Sequence, residues 1–356
     1  MDITSLMETA YSKGASDLHL SVGRRPVVRL GGRLVEIGDA TLLPADTEAM
    51  AKELCPPRNW EELQKGGTTD FGYAFKDKCR FRCSVLTQKG SRGIVMRQIP
   101  QKLLSFEQIG LPESVHELLS LHRGLVLVTG PTGSGKTTTL ATMLDWINAN
   151  RDVHIITIED PVEYYHSHKK SQVTQREVGN DVPSFGEAMR RALRQDPDVI
   201  LLGEMRDLET TSAAITAAET GHLVFGTLHT TGAARTVDRI IDQYPREQQE
   251  QIRSQLAVSL VAVISQILVP AAGGGRVAAF EVMLSNPAIE NHIRKCETFK
   301  IPSVIQTSRR QGMVLMDDSL LELWRAGRIT KEIALEQAFD KKALLLRMGG
   351  AAPAAE

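Results

Sequence analysis

Cysteine is scarce in this chain of 356 residues: Cys55, Cys79, Cys83 and Cys296 are the only four. Their scatter excludes a disulfide framework and fits a reducing compartment. Cys79 and Cys83 lie four apart around Arg80-Phe81-Arg82, in a segment that reads as a strand, where both point to one face. Two sulfurs are too few for a structural zinc site, so these thiols are expected to be small buried hydrophobes. Charge of one sign is not in excess either. Lys plus Arg number 42 and Asp plus Glu 43, a net charge of −1. A dedicated nucleic-acid binder shows a basic excess, so none is expected here. Long apolar runs are missing too. Spanning a bilayer takes about 20 apolar residues, and the longest candidate, Leu256 to Pro270, is interrupted by Ser259, Ser265 and Gln266. The opening MDITSLMETAYSKG lacks the basic start and apolar core of a signal peptide. The expectation is a cytoplasmic protein that meets a membrane only through a partner.

The length allows two domains, each with its own core. Residues 1–99 read as an α+β unit. A helix from Ile3 to Lys13 precedes strands at Asp17–Leu20, Val27–Leu30, Phe71–Tyr73, Arg80–Val85 and Gly93–Arg97, with a helix from Ala45 to Leu54 between them. Gly31-Gly32 signals a hairpin. Residues 100–112 read as a linker. Residues 113–284 alternate strand and helix, with apolar strands at Leu125–Thr129, His154–Ile158, Val199–Leu202, Leu223–Thr227 and Val277–Phe280. Near-continuous apolar strands separated by helices imply a parallel sheet and an α/β fold, here a P-loop domain of the RecA-like kind. Residues 285–348 turn helical, with an amphipathic stretch at Ser319–Ala326, and 349–356 are expected to be a disordered tail.

The segment that decides the ligand class is GPTGSGKT, Gly130 to Thr137, behind the apolar strand and ahead of a helix to about Asn148. Phosphates require converging donors and little steric bulk. Gly130, Gly133 and Gly135 permit tight turning, and the amides of Pro131–Thr138 line a helix N-terminus that favours anions; proline itself gives only its fixed geometry. Lys136 can reach β- and γ-phosphates, and the Thr137 hydroxyl can bind Mg²⁺. Thr132, Ser134 and Thr138 complete the expected ATP-binding set.

Four further segments carry polar groups. His154–Ile158 runs into Glu159, Asp160 and Glu163, and a carboxylate there can orient and deprotonate a water. This strand is expected to neighbour the P-loop strand. Asp196–Glu204 is an apolar strand ending in an acid, the form of a Walker B segment, with Glu204 as a metal-organising group acting through water. His222 and His229 bracket the strand at 223–227; His229, at the carboxyl end, is the functional candidate. Arg80, Arg82 and Arg97 in the first domain are candidates for arginine fingers offered to a neighbouring subunit, an arrangement that supplies about 10³–10⁵ in rate.

With ASDLHL (Ala15–Leu20), RFR (Arg80–Arg82), GLVLVTGPTGSGKTTTLA (Gly124–Ala141), TIEDPVEY (Thr157–Tyr164), QREVG (Gln175–Gly179), DPDVILLGEMRDLET (Asp196–Thr210), TAAETGHLVFGTLHTT (Thr216–Thr231) and DRIID (Asp238–Asp242) in place, the chain resembles the secretion ATPase superfamily. Within it, the likeness is to the type IV pilus retraction ATPases (PilT). The resemblance implies a homohexamer of subunits with a PAS-like N-terminal domain and a RecA-like core, hydrolysing ATP with Mg²⁺ at the cytoplasmic face of the inner membrane. It implies Glu163 as general base, Glu204 as Walker B acid, His222 and His229 as a His box, and Arg80, Arg82 and Arg97 as arginines that approach nucleotide across the subunit interface. The implied partners are an inner-membrane pilus platform protein and a paralogous retraction ATPase.

Pilus assembly and type II secretion ATPases share the core but carry a further N-terminal domain and two CxxC pairs. No CxxC occurs here, and the chain starts at the PAS-like unit, which favours retraction. One segment departs from the retraction pattern. Where those ATPases carry AIRNLI, Ala288–Ile293 reads AIENHI, with Glu290 for Arg and His292 for Leu. The departure keeps open an accessory ring of the PilU kind that works with a second motor.

Overall fold

The computed structural model describes residues 2–76, 78–99 and 103–349. The chain divides into two compact units: Met1–Lys102 with Pro161–Tyr165, and Leu103–Asp160 with His166–Glu356.

The first unit runs α1 (Ile3–Ser12), β1 (Asp17–Leu20), β2 (Val27–Leu30), β3 (Arg33–Glu36), α2 (Pro44–Leu54), α3 (Pro57–Gly66), β4 (Thr68–Phe75), β5 (Cys79–Gln88) and β6 (Ser91–Ile99). Helix α1 starts at Asp2, whose carboxylate accepts the amides of Thr4 and Ser5 and so satisfies two of the orphan donors of a helix start. Among the described residues the strands form one six-stranded antiparallel sheet in the order β3-β2-β1-β6-β5-β4. The Gly31-Gly32 hairpin is present: both glycines have positive φ, and Leu30 pairs with Arg33. Strand β3 is implied only by that hairpin, and helix α3 has no counterpart in the sequence expectations. The first is a four-residue exposed edge, and the second has only Asn59 and Leu63 buried, so neither leaves a strong apolar period.

One face of the sheet carries Leu18, Leu20, Val28, Phe71, Phe81, Val85, Ile94 and Met96 into a core shared with Ile3, Met7, Met50 and Leu54. Cys55, Cys79 and Cys83 belong to that core. Burial pushes the Cys55 and Cys79 thiols up to about 11 and Cys83 higher still. Cys79 and Cys83 behave as the small hydrophobes expected from their spacing, and Cys55 joins them.

The second unit begins with two short helices, α4 (Phe106–Ile109) and α5 (Ser114–Leu118). It continues β7 (Gly124–Thr129), α6 (Lys136–Asn150), β8 (His154–Glu159), β9 (Gln172–Glu177), α7 (Phe185–Ala192), β10 (Val199–Leu202), α8 (Leu208–Glu219), β11 (Leu223–Leu228), α9 (Ala233–Ile241), α10 (Arg246–Ser259), β12 (Leu260–Pro270) and β13 (Arg276–Leu284). Then come α11 (Pro287–Arg294), α12 (Ile301–Thr307), α13 (Met316–Arg325), α14 (Lys331–Gln337) and α15 (Lys341–Gly349). Positions 100–102 of the expected linker and 350–356 of the expected tail lie outside the described residues.

Among the described residues the sheet has seven strands in the order β13-β12-β7-β11-β10-β8-β9. All neighbours are parallel except β12 and β13. This corrects one expectation. The P-loop strand β7 lies between β11 and β12, and β8, the strand of the acidic loop, is separated from it by β11 and β10. Apolar runs identify buried strands but carry no information on which crossover places which strand beside which. Strands β9 and β12 also escaped the sequence reading. The interrupted apolar run 256–270 is the end of α10 followed by a long strand paired directly with β7.

The sheet buries both faces. Leu125, Leu127, Val224, Val263 and Met283 pack toward α8, α9 and α10, while Val126, Val128, Phe225, Ala262 and Ile264 pack toward α6. Alternate residues of one strand therefore serve opposite cores. A further cluster joins Ile267, Val269 and Ala279 to Met316, Leu320 and Leu344 of the C-terminal helices.

Candidate functional site

The polar groups of the second unit gather where the parallel strands end, the place such sheets reserve for ligands. Strand β7 leads into the Gly130–Gly135 loop. Gly130, Gly133 and Gly135 have φ of 144°, 79° and 90°. At Gly130 a Cβ would lie 2.1 Å from the Gln266 carbonyl oxygen, so no other residue fits. Pro131, Thr132 and Gly133 are exposed, while Lys136, Thr137 and Thr138 at the start of α6 are half-buried. Lys136 Nζ donates to the carbonyls of Gly130 (2.7 Å) and Pro131 (3.1 Å), which holds the ammonium over the loop. Burial lowers the Lys136 pKa, and nearby Glu204 partly offsets it. Ser134 is buried with its hydroxyl lacking a hydrogen-bond partner. Positive-φ glycines, a helix start, an inward lysine and a spare buried hydroxyl fit a polyphosphate.

Gln266 of β12 braces this loop; in the sequence it is only a break in an apolar run. Its Nε2 donates to the Ser134 carbonyl at 2.7 Å, and its Oε1 accepts from Thr139 Oγ1 of α6 at 2.7 Å. Gln266 and Thr139 are both buried. A polar side chain inside a buried strand needs partners, and that requirement was the available signal.

The neighbouring strand β11 is in register with β7, Leu228 opposite Thr129, and Gly130 N–H donates to the Leu228 carbonyl. His229 therefore emerges beside the P-loop. Its Nδ1 lies 3.4 Å from Thr132 Oγ1 and its Nε2 3.1 Å from Glu204 Oε1. Glu204 follows β10, and Arg206 Nε is 2.5 Å from the same carboxylate oxygen. Burial pushes the Glu204 carboxyl up, but Arg206 and His229 outweigh it and hold it below its ordinary value. An ionised Glu204 thus stands against Lys136, Arg206 and His229. His222, at the other end of β11, uses its Nδ1 on the Ala217 carbonyl at the end of α8, which is a structural contact.

At the end of β8, Glu159 is buried and accepts from Thr157 Oγ1 (2.7 Å) and Gln175 Nε2 (3.2 Å), while Asp160 is exposed. Glu163 belongs to the first unit, with Pro161–Tyr165. There its Oε1 lies 3.9 Å from Arg82 Nη1. Arg80, buried at 9% exposure, lays its guanidinium over the Tyr165 ring at 4.1 Å. Arg97 pairs across the ladder with Asp17 at 2.9 Å, and Arg29 approaches the same carboxylate at 3.7 Å. The N-terminal arginines thus differ in setting: Arg80 is stacked, Arg82 faces Glu163, and Arg97 is engaged within the sheet.

The departing segment AIENHI falls on α11. Ile289 and Ile293 are fully buried, as their four-residue spacing requires. Glu290 pairs with Arg294 at 2.7 Å and His292 with Glu297 at 3.1 Å. Among the described residues no group of three or more His, Cys, Asp or Glu forms a metal cluster, and no helix is long and apolar enough to cross a membrane.

Known proteins match this chain closely in sequence and fold. A model of the Type II/IV secretion system protein family matches residues 1–279. The chain is 48% identical to the type IV pilus retraction ATPase PilT of Pseudomonas aeruginosa, over 95% of this chain and 98% of that one. It is 38% identical to the type IV pilus ATPase PilU of the same organism, over 95% and 89%. A crystal structure of the pilus retraction motor PilT with bound ADP superposes with a TM-score of 0.91 at 46% identity, covering 97% of this chain and 99% of that one. With a phosphate cradle, an acid and a histidine on adjoining strand ends, and relatives aligned over nearly their whole length, the chain belongs to the Type II/IV secretion system protein family, in the branch of the pilus retraction ATPases.

Proposed function

We propose that this protein is an ATP-hydrolysing motor that powers type IV pilus retraction and twitching motility. The observation that carries the reading is the convergence of Lys136, His229 and Glu204 at the ends of β7, β11 and β10. The P-loop amides and Lys136 bind the phosphates of ATP. Thr137 and Glu204 are the residues to hold Mg²⁺, which when bound neutralises charge on the β- and γ-phosphates. Glu204, kept ionised by Arg206 and His229, is suited to orient water around the ion. His229 touches both the P-loop and the Walker B acid, so it can report the occupancy of one to the other. Glu163 takes the proton of the attacking water. Arg80, Arg82 and Arg97 remain the candidates for charge supplied to a neighbouring subunit's nucleotide, so activity requires assembly into a homohexamer.

In this reading the ring works at the cytoplasmic face of the inner membrane. It turns hydrolysis into movement between its two units and acts on a pilus platform protein. Purified wild type releases phosphate from ATP, and Lys136→Ala and Glu163→Ala abolish release. Phosphate release by Glu163→Ala at the wild-type rate removes the base assignment. Surface pili in excess after deletion support retraction, whereas loss of pili would assign the protein to assembly. A second reading, an accessory ring acting with a paralogous motor, is favoured by one observation: Glu290, paired with Arg294, stands where the retraction pattern has an arginine. Full twitching by a strain carrying this protein as its sole retraction ATPase would remove that reading.

A further inference from the structure

Glu281 sits within β13 opposite Ser265 of β12, at 6% exposure. A buried strand has no intrinsic use for an acid, and a buried carboxylate is costly unless its oxygens are satisfied. Here the two oxygens serve two different helices. Oε1 accepts the N–H of Ala233, the first residue of α9, at 2.7 Å. Oε2 accepts the N–H of Met316, the first residue of α13, at 3.4 Å. Beside them, Ser265 Oγ accepts the N–H of Gly232 at 2.8 Å. A Cβ at Gly232 would touch both Glu281 Oε1 (3.6 Å) and the Phe339 ring (3.8 Å).

Each side of this carboxylate leads somewhere definite. Ala233 is four residues from His229, the side chain that meets Glu204 and Thr132. The loop between them is tightened by a 2.7 Å hydrogen bond between the Thr230 and Thr236 hydroxyls. On the other side, Asp317 of α13 accepts the N–H groups of Phe339 and Asp340 ahead of α15. Phe339 lies under the guanidinium of Arg235 from α9, 5.5 Å from its ring centre. Burial raises the Glu281 pKa against the pull of the Ala233 and Met316 amides, with Asp317 raising it further and Arg235 lowering it.

We propose that Glu281 is a positioning residue that couples the His229–Gly232 loop at the phosphate site to the C-terminal helices α13–α15. A shift of His229 when nucleotide binds is passed through Ala233 and Glu281 to the start of α13. The inference rests on the nucleotide site proposed above. The side-chain chemistry is specific: Glu281 accepts at both oxygens, whereas glutamine of the same size turns a donor toward one of the two amides.

The test is hydrogen exchange of the intact protein with and without ADP, read on peptides spanning Met313–Arg325. Binding is titrated on the same samples with a fluorescent methylanthraniloyl ADP. In wild type, ADP is expected to change exchange in α13. Glu281→Gln is expected to bind ADP within about threefold of wild type while the ADP-dependent change in α13 drops to about half or less, because one of two hydrogen-bonded arms is lost. A merely structural role would shift exchange equally with and without ADP. An unchanged ADP response in Glu281→Gln, or no response in ADP-bound wild type, overturns the coupling. Failure of wild type to bind ADP overturns the site reading itself. If Glu281→Gln does not fold, Glu281→Asp, which keeps the carboxylate but draws its oxygens back from the Ala233 and Met316 amides, carries the comparison: a weakened response in α13 supports the coupling and a full response overturns it.

Discussion

Replacing Gln266 with methionine tests whether the P-loop is held by β12. Methionine matches the length and volume of glutamine, so the change removes hydrogen bonds without opening a cavity. Two bonds disappear, each 2.7 Å long and each between buried groups: Gln266 Nε2 to the Ser134 carbonyl and Thr139 Oγ1 to Gln266 Oε1. A buried hydrogen bond contributes about 1 kcal/mol net, and an orphaned buried partner costs about 1–3 kcal/mol. The Thr139 hydroxyl can turn to the helix carbonyl four residues back, which limits the loss on that arm. The Ser134 carbonyl belongs to the loop itself, so the bond lost there bears directly on the loop. A total of about 2–4 kcal/mol follows, with the larger share on the loop. If half of it appears as the cost of ordering the loop around phosphate, ADP binds about tenfold more weakly. Gln266→Glu separates the arms. It keeps an acceptor for Thr139 but sets a carboxylate oxygen against the Ser134 carbonyl, so its affinity loss should exceed that of Gln266→Met. Fluorescent ADP titration with a thermal melt of each variant measures both quantities. ADP affinity within about twofold of wild type for both variants, with unchanged melting, would refute the brace.

Two further outcomes follow from the geometry. Glu204 has a folded pKa below its ordinary 4.5, so its ionised form contributes stability that is complete above that value and is lost as pH falls through the folded pKa. The melting difference between wild type and Glu204→Gln should therefore be flat from neutral pH to mildly acidic pH and shrink only in stronger acid; a change centred near neutrality would contradict the assignment. Glu290→Arg replaces the 2.7 Å Glu290–Arg294 pair on α11 with two like charges, a change worth about 0.5 kcal/mol on a helix surface. ATP hydrolysis should hold while twitching of a complemented deletion strain changes; identical twitching would show that this face of α11 meets no partner sensitive to charge.

How much of this was legible in the sequence depends on the range of the physics involved. The P-loop, β10 and β11 are local patterns, and Gly130–Thr137, Glu204 and His229 were readable because strand ends are where such patterns place ligands. The burial of Cys79 and Cys83 and of Ile289 and Ile293 followed from spacing alone. The neighbour of β7 was not readable, because strand order is set by crossovers and not by any one segment. Gln266 and Glu281 stood in plain view as polar residues inside apolar runs, and a strand buried on both faces cannot leave such groups without partners. What the sequence could not supply was the partner, since Ser134 is 132 residues from Gln266 and Ala233 is 48 from Glu281. The two-residue period of a strand then explains their division of labour. Ser265 and Gln266 are adjacent and must face opposite sides of the sheet. Gln266 holds the P-loop on the α6 side, while Ser265 and its cross-strand neighbour Glu281 hold the loop after His229 on the α9 side. One edge of the sheet thereby fixes both loops of the phosphate site, and an apolar replacement at any of these three positions would keep the strand while loosening the chemistry beside it.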